Sequence, residues 1–194
     1  GLDRNLIRPA IDSITGANIF RLNPTALEQS IEQIYPPIDY FNLIRGLPHT
    51  VRLDIILRQP ALRWDVNGTI YSVDVTGKVF DQGDKPEYAT LPKVIDKSGL
   101  PVQIGQHIVP PGFITFLASL QEGMPVATQR QIAGNEVTDT VFHVDMLLDH
   151  DVRIRFTTQR PVKEQIESVA AILAAHPDSK VIDVRVPKWG YWRR

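Results

Sequence analysis

Residues 64–74 have the sequence WDVNGTIYSVD, and this stretch determines how the larger part of the chain is expected to fold. The pair Asn67-Gly68 separates two short segments that are rich in aromatic and β-branched residues. Because this pair readily adopts the positive φ angles of a two-residue turn, it is a strong short-range signal for a β-hairpin. The stretch predicts two antiparallel strands, and the sequence after Pro60 has the texture of short strands with frequent turns.

Two helices are predicted upstream of this hairpin. The first covers residues 9–14, because Pro9 suits a first helical turn and Gly16 suits the stop. The second begins after Asn23, a favourable N-cap residue, with Pro24 at its first position. Its predicted apolar face contains Leu27, Ile31 and Ile34.

Another hairpin is predicted between the second helix and Pro60. Residues 38–45 form its first strand and residues 46–49 (GLPH) its turn. In residues 51–57 apolar and charged side chains largely alternate, which is typical of a strand with one buried face.

Beyond residue 74 the predicted elements are less regular. In chain order they begin with a loop over 81–87 and a short helix over 113–120 between Gly/Pro-rich segments. Strands over 137–148 and 152–158 follow, around a turn at 149–151. An amphipathic helix after Pro161 has Ile166, Val169, Ala170 and Leu173 on one face, and a last strand covers 181–186. An aromatic tail with Trp189, Tyr191 and Trp192 follows. The fold class is therefore α+β: a small helix–helix–hairpin unit over residues 1–63, then a mostly antiparallel β unit with one or two helices over residues 64–194.

Composition excludes several classes of function. The 194 residues carry a formal net charge of −1, whereas a general nucleic-acid binder needs a surplus of basic residues. The chain has no cysteine, so disulfides, thiolate catalysis and cysteine-rich zinc sites are ruled out. It contains no apolar stretch of the roughly 20 residues that span a bilayer. It starts with Gly1 and not methionine, so we expect a fragment or a processed product.

One cluster of titratable residues invites a metal or acid–base interpretation. It comprises His143, Asp145, Asp149, His150 and Asp151. His143 and Asp145 are two apart on a predicted strand, and 149–151 has the composition of a turn. Since no further ligand has a known spacing, we predict no metal site.

The order of several short segments resembles a known family. The segments are residues 16–22 (GANIFRL), the helix at 27–34, the prolines at 36–37, 45–48 (RGLP), 55–64 (IILRQPALRW), 74–80 (DVTGKVF), 91–92 (LP) and 181–185 (VIDVR). Their succession resembles that of the FtsQ/DivIB family of bacterial cell-division proteins.

The resemblance implies a domain organisation and a role. Residues 1–63 would be a POTRA domain without its first strand, and residues 64–194 an FtsQ-type β domain. Both would lie outside the cytoplasmic membrane, behind a single transmembrane helix upstream of Gly1. The implied function is a non-enzymatic scaffold of the division apparatus, without catalytic residues or cofactors, that binds FtsB and FtsL and helps control septal peptidoglycan synthesis.

The resemblance also implies a partner site at the end of the chain. The last strand is expected to be a sheet edge, to which FtsB in complex with FtsL adds a strand. The predicted contact residues are Val181, Asp183, Val184, Arg185, Trp189, Tyr191 and Trp192. The alternative is that the aromatic rings fold back onto their own sheet, and that Asp183 and Arg185 form only a surface pair.

Arg45 and Arg58 are, by position, candidates for contacts of the POTRA segment with other division proteins, against the alternative of ordinary solvated arginines. Two other functions stay open on the sequence. A transport or assembly chaperone with a POTRA unit would carry tandem POTRA units or a barrel. A cell-envelope hydrolase would use the region of His143 and Asp149.

Overall fold

The computed structural model describes residues 4–18, 20–46 and 50–194, and the side chains of Arg4 and Leu6 are not described. The chain divides into two compact units, Gly1–Gln59 and Pro60–Arg194. This boundary lies slightly before the one expected after Arg63. The reason is that strand β3 already begins at Pro60, which pairs with Asp74 of the second unit.

The first unit consists of two helices and one hairpin. Its elements are α1 (Arg4–Asp12), α2 (Pro24–Ile34), β1 (Ile38–Gly46) and β2 (Thr50–Leu57). The two strands are antiparallel, and their predicted turn at 46–49 falls largely on residues 47–49, outside the described residues. Apolar residues from both helices and from β1 form the core, among them Ile7, Leu27, Ile31 and Phe41.

The predicted start of α2 is confirmed, but that of α1 is wrong. The Asn23 side chain accepts a hydrogen bond from the Ala26 N–H at 3.2 Å and caps α2. Helix α1 begins before Pro9, which therefore lies inside it. Burial of Ile7 and Ala10 in the core explains why the helix extends across a residue that lacks an N–H.

The second unit is built on one nine-stranded sheet. Its strands are β3 (Pro60–Val66), β4 (Thr69–Asp74), β5 (Val79–Gln82), β6 (Lys93–Asp96), β7 (Ile132–Val137), β8 (His143–Leu148), β9 (Val152–Thr157), β10 (Val181–Asp183) and β11 (Tyr191–Arg193). The spatial order is β11-β10-β9-β8-β7-β6-β3-β4-β5. Pairs β3–β6, β6–β7 and β9–β10 are parallel and the other five are antiparallel, which confirms the predicted α+β class with a mostly antiparallel sheet.

The Asn67-Gly68 hairpin and the turn at 149–151 are confirmed. Asn67 and Gly68 have φ angles of 53° and 85°, and a two-residue hairpin turn of this kind requires positive φ at both positions. His150 and Asp151 also have positive φ, in a 3-10 turn between β8 and β9. The strand predicted over residues 137–148 is too long. Val137 is the last residue of β7, and β8 begins only at His143.

Two helices cover one face of this sheet: α3 (Pro111–Thr128) and α4 (Val162–Ala175). Phe116, Leu120 and Met124 of α3 share a core with Ile166 and Val169 of α4 and with apolar residues of β8, β9 and β10. Helix α3 is much longer than the predicted 113–120, and it continues through Gly123 and Pro125. A Cβ at Gly123 would lie 2.7 Å from Ile166 Cδ1, so this glycine allows the close approach of α4.

The opposite face of the sheet carries a network of charges. Glu136 on β7 is bonded by Lys97 Nζ at 2.7 Å and by Arg153 Nη1 at 2.8 Å. The same Arg153 nitrogen lies 3.0 Å from Asp145 on β8. Burial by itself would raise the pKa of Glu136, but the hydrogen bonds from Lys97 and Arg153 outweigh it and hold the pKa below its ordinary value.

The edge formed by β5 is partly covered, because the segment that precedes α3 bonds its first residue. The Val79 N–H donates to the Gln106 carbonyl, and the Gly105 N–H donates to the Val79 carbonyl. Next to it, Asp74 Oδ1 accepts from the N–H of Thr76 at 2.8 Å, which forms a turn over residues 74–77 (DVTG). Gly77 ends this turn with φ +85°, and a Cβ there would lie 1.8 Å from the Val109 carbonyl oxygen.

Candidate partner-binding edge

The predicted position of the sheet edge is wrong by one strand. Strand β10 covers only Val181–Asp183, and it pairs with β9 on one side and with β11 on the other. A strand with neighbours on both sides cannot accept a further strand. The terminal strand of the sheet is β11, the three residues Tyr191–Arg193, for which the sequence predicts only an aromatic tail.

Strand β11 is held in place by contacts of Trp192. The Trp192 ring stacks on the ring of His176, the residue that ends α4, with centroids 3.8 Å apart and planes 19° from parallel. Trp192 also packs against the apolar core shared by α3 and α4. The chain can approach α4 closely at Gly190, where a Cβ would lie 2.5 Å from Ile172 Cδ1.

The other two aromatic residues of the tail stay in solvent. Trp189 is 78% exposed and Tyr191 is 64% exposed. The aromatic tail therefore divides: Trp192 folds back onto its own unit, as the alternative interpretation expected, whereas Trp189 and Tyr191 are available beside the edge. Exposed aromatic residues of this kind are enriched among the residues that dominate protein–protein binding.

Asp183 and Arg185 form a pair beside this edge. Arg185 Nη2 lies 2.6 Å from Asp183 Oδ2, and Arg185 Nε bonds both carboxylate oxygens, at 2.9 and 3.1 Å. Burial would raise the pKa of Asp183, but the hydrogen bonds from Arg185 lower it further than burial raises it. Both side chains are partly exposed, so the pair is available to a partner but adds little stability by itself.

Val184 does not contribute a side chain to the surface, because it is buried. Its N–H donates to the Arg155 carbonyl at 3.1 Å, and its carbonyl accepts from Arg160 Nη1 at 2.7 Å. The predicted contact at Val184 is therefore corrected: the residue anchors the segment after β10 and lies in the core. Ile182, its neighbour on β10, is likewise buried, and Val181 is partly buried.

The two arginines chosen in the first unit differ in their surroundings. Arg58 has a side chain that is only 10% exposed, and it forms ion pairs with Glu32 at 3.2 Å and Asp39 at 3.0 Å. These contacts join α2 to the start of β1, so they give Arg58 a structural role within the first unit. Arg45 is exposed and donates from Nη2 to the Leu22 carbonyl at 2.8 Å.

The His/Asp cluster is not brought together. His143 stands at the start of β8 and Asp149 follows its end, so the strand separates them by roughly 20 Å at about 3.4 Å per residue. His143 Nδ1 lies 4.0 Å from Asp139, and His150 Nδ1 lies 3.3 Å from Asp149. Among the described residues, no group of three or more potential ligands could hold a metal ion.

Comparison with known proteins identifies the family. Residues 62–185 match the family model described as "Cell division protein FtsQ/DivIB, C-terminal". The chain belongs to the FtsQ/DivIB family. The matched region begins in β3 and includes the core strands, both helices of the second unit, β10 and the Asp183–Arg185 pair. It ends before β11, so the family model does not cover the edge strand itself.

Two relatives are similar over different lengths. The "Cell division protein FtsQ" of Hirschia baltica is 23% identical over 197 residues, which cover 92% of this chain and 66% of that protein. The "Cell division protein FtsQ" of Chloroflexus aurantiacus is 33% identical over 73 residues, or 38% of this chain and 27% of that protein. The chain thus spans just under two thirds of the first FtsQ relative and about a quarter of the second. Within the part of the chain that the structure describes, none of the helices has the length and apolarity needed to cross a bilayer.

Proposed function

We propose that this chain is a non-enzymatic scaffold of the bacterial division apparatus, and that it binds partners of the FtsB and FtsL type by strand addition at β11. In this proposal the first unit is a POTRA domain and the second an FtsQ-type β domain. Both lie outside the cytoplasmic membrane, anchored by one transmembrane helix upstream of this sequence, and partner binding helps control septal peptidoglycan synthesis. Membership of the FtsQ/DivIB family supports the role in cell division.

The observation that carries the proposal is the contrast between the two edges of the sheet. The β5 edge is partly covered, because its first residue, Val79, bonds the segment before α3, whereas β11 pairs with β10 on one side only. In the described part of the chain no other strand lies beyond β11. A strand at an edge presents backbone N–H and C=O groups that an extended segment of another protein can bind.

The side chains around β11 give this edge a means of selecting its partner. Trp189 and Tyr191 supply large exposed rings, and Asp183 with Arg185 supplies charges of both signs on neighbouring residues. Backbone pairing provides affinity without selectivity, and side chains at alternate positions provide the discrimination. The exposed rings are thus the expected energetic centre of the interface.

The test is a calorimetric titration of the 194-residue chain with a peptide from the membrane-distal part of the FtsB protein of the same organism. The double variant Trp189→Ala/Tyr191→Ala should weaken binding by about tenfold or more and leave the thermal unfolding midpoint unchanged, because both rings are exposed. Val126→Ala is the matched control, since Val126 is an exposed apolar residue on α3. Unchanged affinity of the double variant would remove β11 as the docking edge.

A further inference from the structure

A cavity of about 220 Å³ lies at the carboxyl ends of the parallel strands β3, β6 and β7. Its walls come from Asp96 at the end of β6, from Leu100 and Val102 in the loop after it, and from Asp139 and Val141 in the loop after β7. Trp64 of β3 also lines it. We call it the Trp64 cavity. Three strands, β8, β9 and β10, separate β7 from β11, so this cavity is distinct from the proposed docking edge.

The walls of the Trp64 cavity are fixed before any ligand arrives. The Trp64 indole N–H donates to Asp96 Oδ2 at 3.0 Å, and the Ser98 N–H donates to Asp96 Oδ1 at 2.8 Å. Farther along the same loop, the Ile108 N–H donates to the Gly77 carbonyl at 3.0 Å. A preorganised pocket binds more tightly, because less conformational entropy is lost on binding.

The titratable residues that line the cavity are two carboxylates and one imidazole, those of Asp96, Asp139 and His107, and among the residues that the structure describes no lysine or arginine lines it. Asp96 is only 8% exposed, yet in the described part of the chain neither Asp96 nor Asp139 has a lysine or arginine within ion-pair distance. Arg185, which lines the neighbouring cleft together with Asp139, is already paired with Asp183. A carboxylate oxygen accepts two hydrogen bonds, and each oxygen of Asp96 has one described donor, so capacity remains for a cationic donor.

The remaining surface of the cavity suits a long aliphatic stem. Leu100, Pro101, Val102, Ile108, Val137 and Val141 contribute apolar walls. Lysine and arginine bury their methylene groups along apolar surface while their charged ends meet polar groups. The volume is below the range of pockets for drug-sized ligands and fits one side chain.

We propose that the Trp64 cavity is an anchor pocket for a single basic side chain, arginine or lysine, presented by an extended segment of another protein. Exposed apolar residues at the rim support a protein partner over a free amine. Leu100 is 65% exposed, and Phe142, directly after the lining residue Val141, is 49% exposed. Such residues would contact the apolar neighbours of the basic residue in the partner segment.

The probe is the peptide acetyl-Leu-Arg-Leu-amide, and its control is the same peptide with citrulline, which keeps the shape of arginine without the charge. Both are titrated into the ¹⁵N-labelled 194-residue chain and followed by NMR. The Arg peptide should shift the Trp64 indole N–H saturably and leave the indole signals of Trp189 and Trp192 in place. The citrulline peptide should bind about tenfold more weakly, because a hydrogen bond to a charged group is lost.

Two variants and one competitor decide the assignment. Asp139→Asn changes a residue whose side chain is 74% exposed, so the fold is kept, and it should weaken the Arg peptide several-fold. Asp178→Asn, on the loop between α4 and β10, should leave binding unchanged. Equal affinity of the two peptides, lack of saturation, or binding unaffected by Asp139→Asn would overturn the proposal. Spermidine binding as tightly as the Arg peptide would assign the cavity to free polyamines and overturn the protein partner.

Discussion

At the level of single residues, Gly77 determines how closely the segment before α3 can approach the β4–β5 turn. Its φ of +85° disfavours any side chain, and a Cβ would lie 1.8 Å from the backbone oxygen of Val109. That oxygen cannot move independently, because Val109 is buried and belongs to the core beneath α3. Gly77 therefore allows the turn to form and allows the segment with Ile108, which lines the Trp64 cavity, to lie close to it.

We expect Gly77→Ala to lower the free energy of unfolding by clearly more than Gly99→Ala. Both glycines have positive φ, so each substitution carries a conformational cost of about 1–2 kcal/mol. A Cβ on Gly99 would have no atom within 4 Å, whereas a Cβ on Gly77 would also clash with backbone. Urea unfolding followed by tryptophan fluorescence measures the difference. Equal losses in the two variants would show that the segment moves away freely.

Glu136 makes the free energy of unfolding of the second unit sensitive to acid. Its pKa is below the ordinary value near 4.3 in the folded state, so the unfolded chain takes up the proton first as the pH falls. The stabilisation is therefore complete above the ordinary pKa and is lost as the pH falls through the folded pKa. Glu136→Gln should cost about 1–3 kcal/mol at neutral pH and flatten the decline below about pH 4.3.

The measurement for Glu136 is the unfolding free energy from neutral pH down to acid, for the wild type and for two variants. Glu167→Gln on α4 is the control, since that side chain is exposed and its closest cation is Lys163 at 4.0 Å. The control should follow the wild type throughout. An identical acid profile for Glu136→Gln would mean that other carboxylates carry the effect.

At the level of elements, β11 depends on one ring for its position. Trp192→Ala removes the stack on His176 and the packing on the core, and we expect it to cost about 1–2 kcal/mol, less than full burial of such a ring would give. Amide exchange in β10 and β11 should accelerate, while β7 and β8 stay protected. Trp189→Ala should change neither quantity, because that ring is exposed. Unaltered exchange in β11 after Trp192→Ala would show that backbone pairing alone holds the strand.

Elements with a strong local signal were predictable, and elements made by long-range packing were not. The Asn67-Gly68 hairpin, the Asn23 cap and the apolar face of α4 each follow from residues close in sequence. Helix α3 extends past Gly123 because α4 packs there, and α4 is distant in sequence. Strand β11 has only three residues, and its contacts are with β10 and with His176, so its residues alone predicted no more than an aromatic tail.

The sequence predicted that the candidate site lies near the end of the chain, but it did not predict which strand forms the edge of the sheet. The family resemblance directed attention to the end of the chain, and Trp189 and Tyr191 are indeed exposed there. Which strand forms the edge depends on whether the tail turns back, and the turn after Val186 contains Lys188 with a positive φ of 62°. That conformation is uncommon for lysine, and no sequence pattern predicted it.

At the level of the whole molecule, the second unit contains its own cores. The clusters around Trp64 and around Phe156 are formed entirely by residues of Pro60–Arg194. We expect residues 60–194 to fold when produced separately and to unfold cooperatively. Since Trp64, Trp189 and Trp192 all belong to this unit, their fluorescence reports on it alone. A fragment without a cooperative transition would show that the first unit is needed for folding.

The partly covered β5 strand has a consequence for stoichiometry. A sheet that is open at both lateral borders can join copy after copy into a filament, as in domain-swapped and amyloid assemblies. Here one border of the nine-stranded sheet of the second unit is covered at Val79, which bonds its own Gly105 and Gln106, so that border is a poorer template for a further strand than β11. In the proposed strand addition at β11, we therefore expect each copy to recruit a single strand through this sheet and not to polymerise through it.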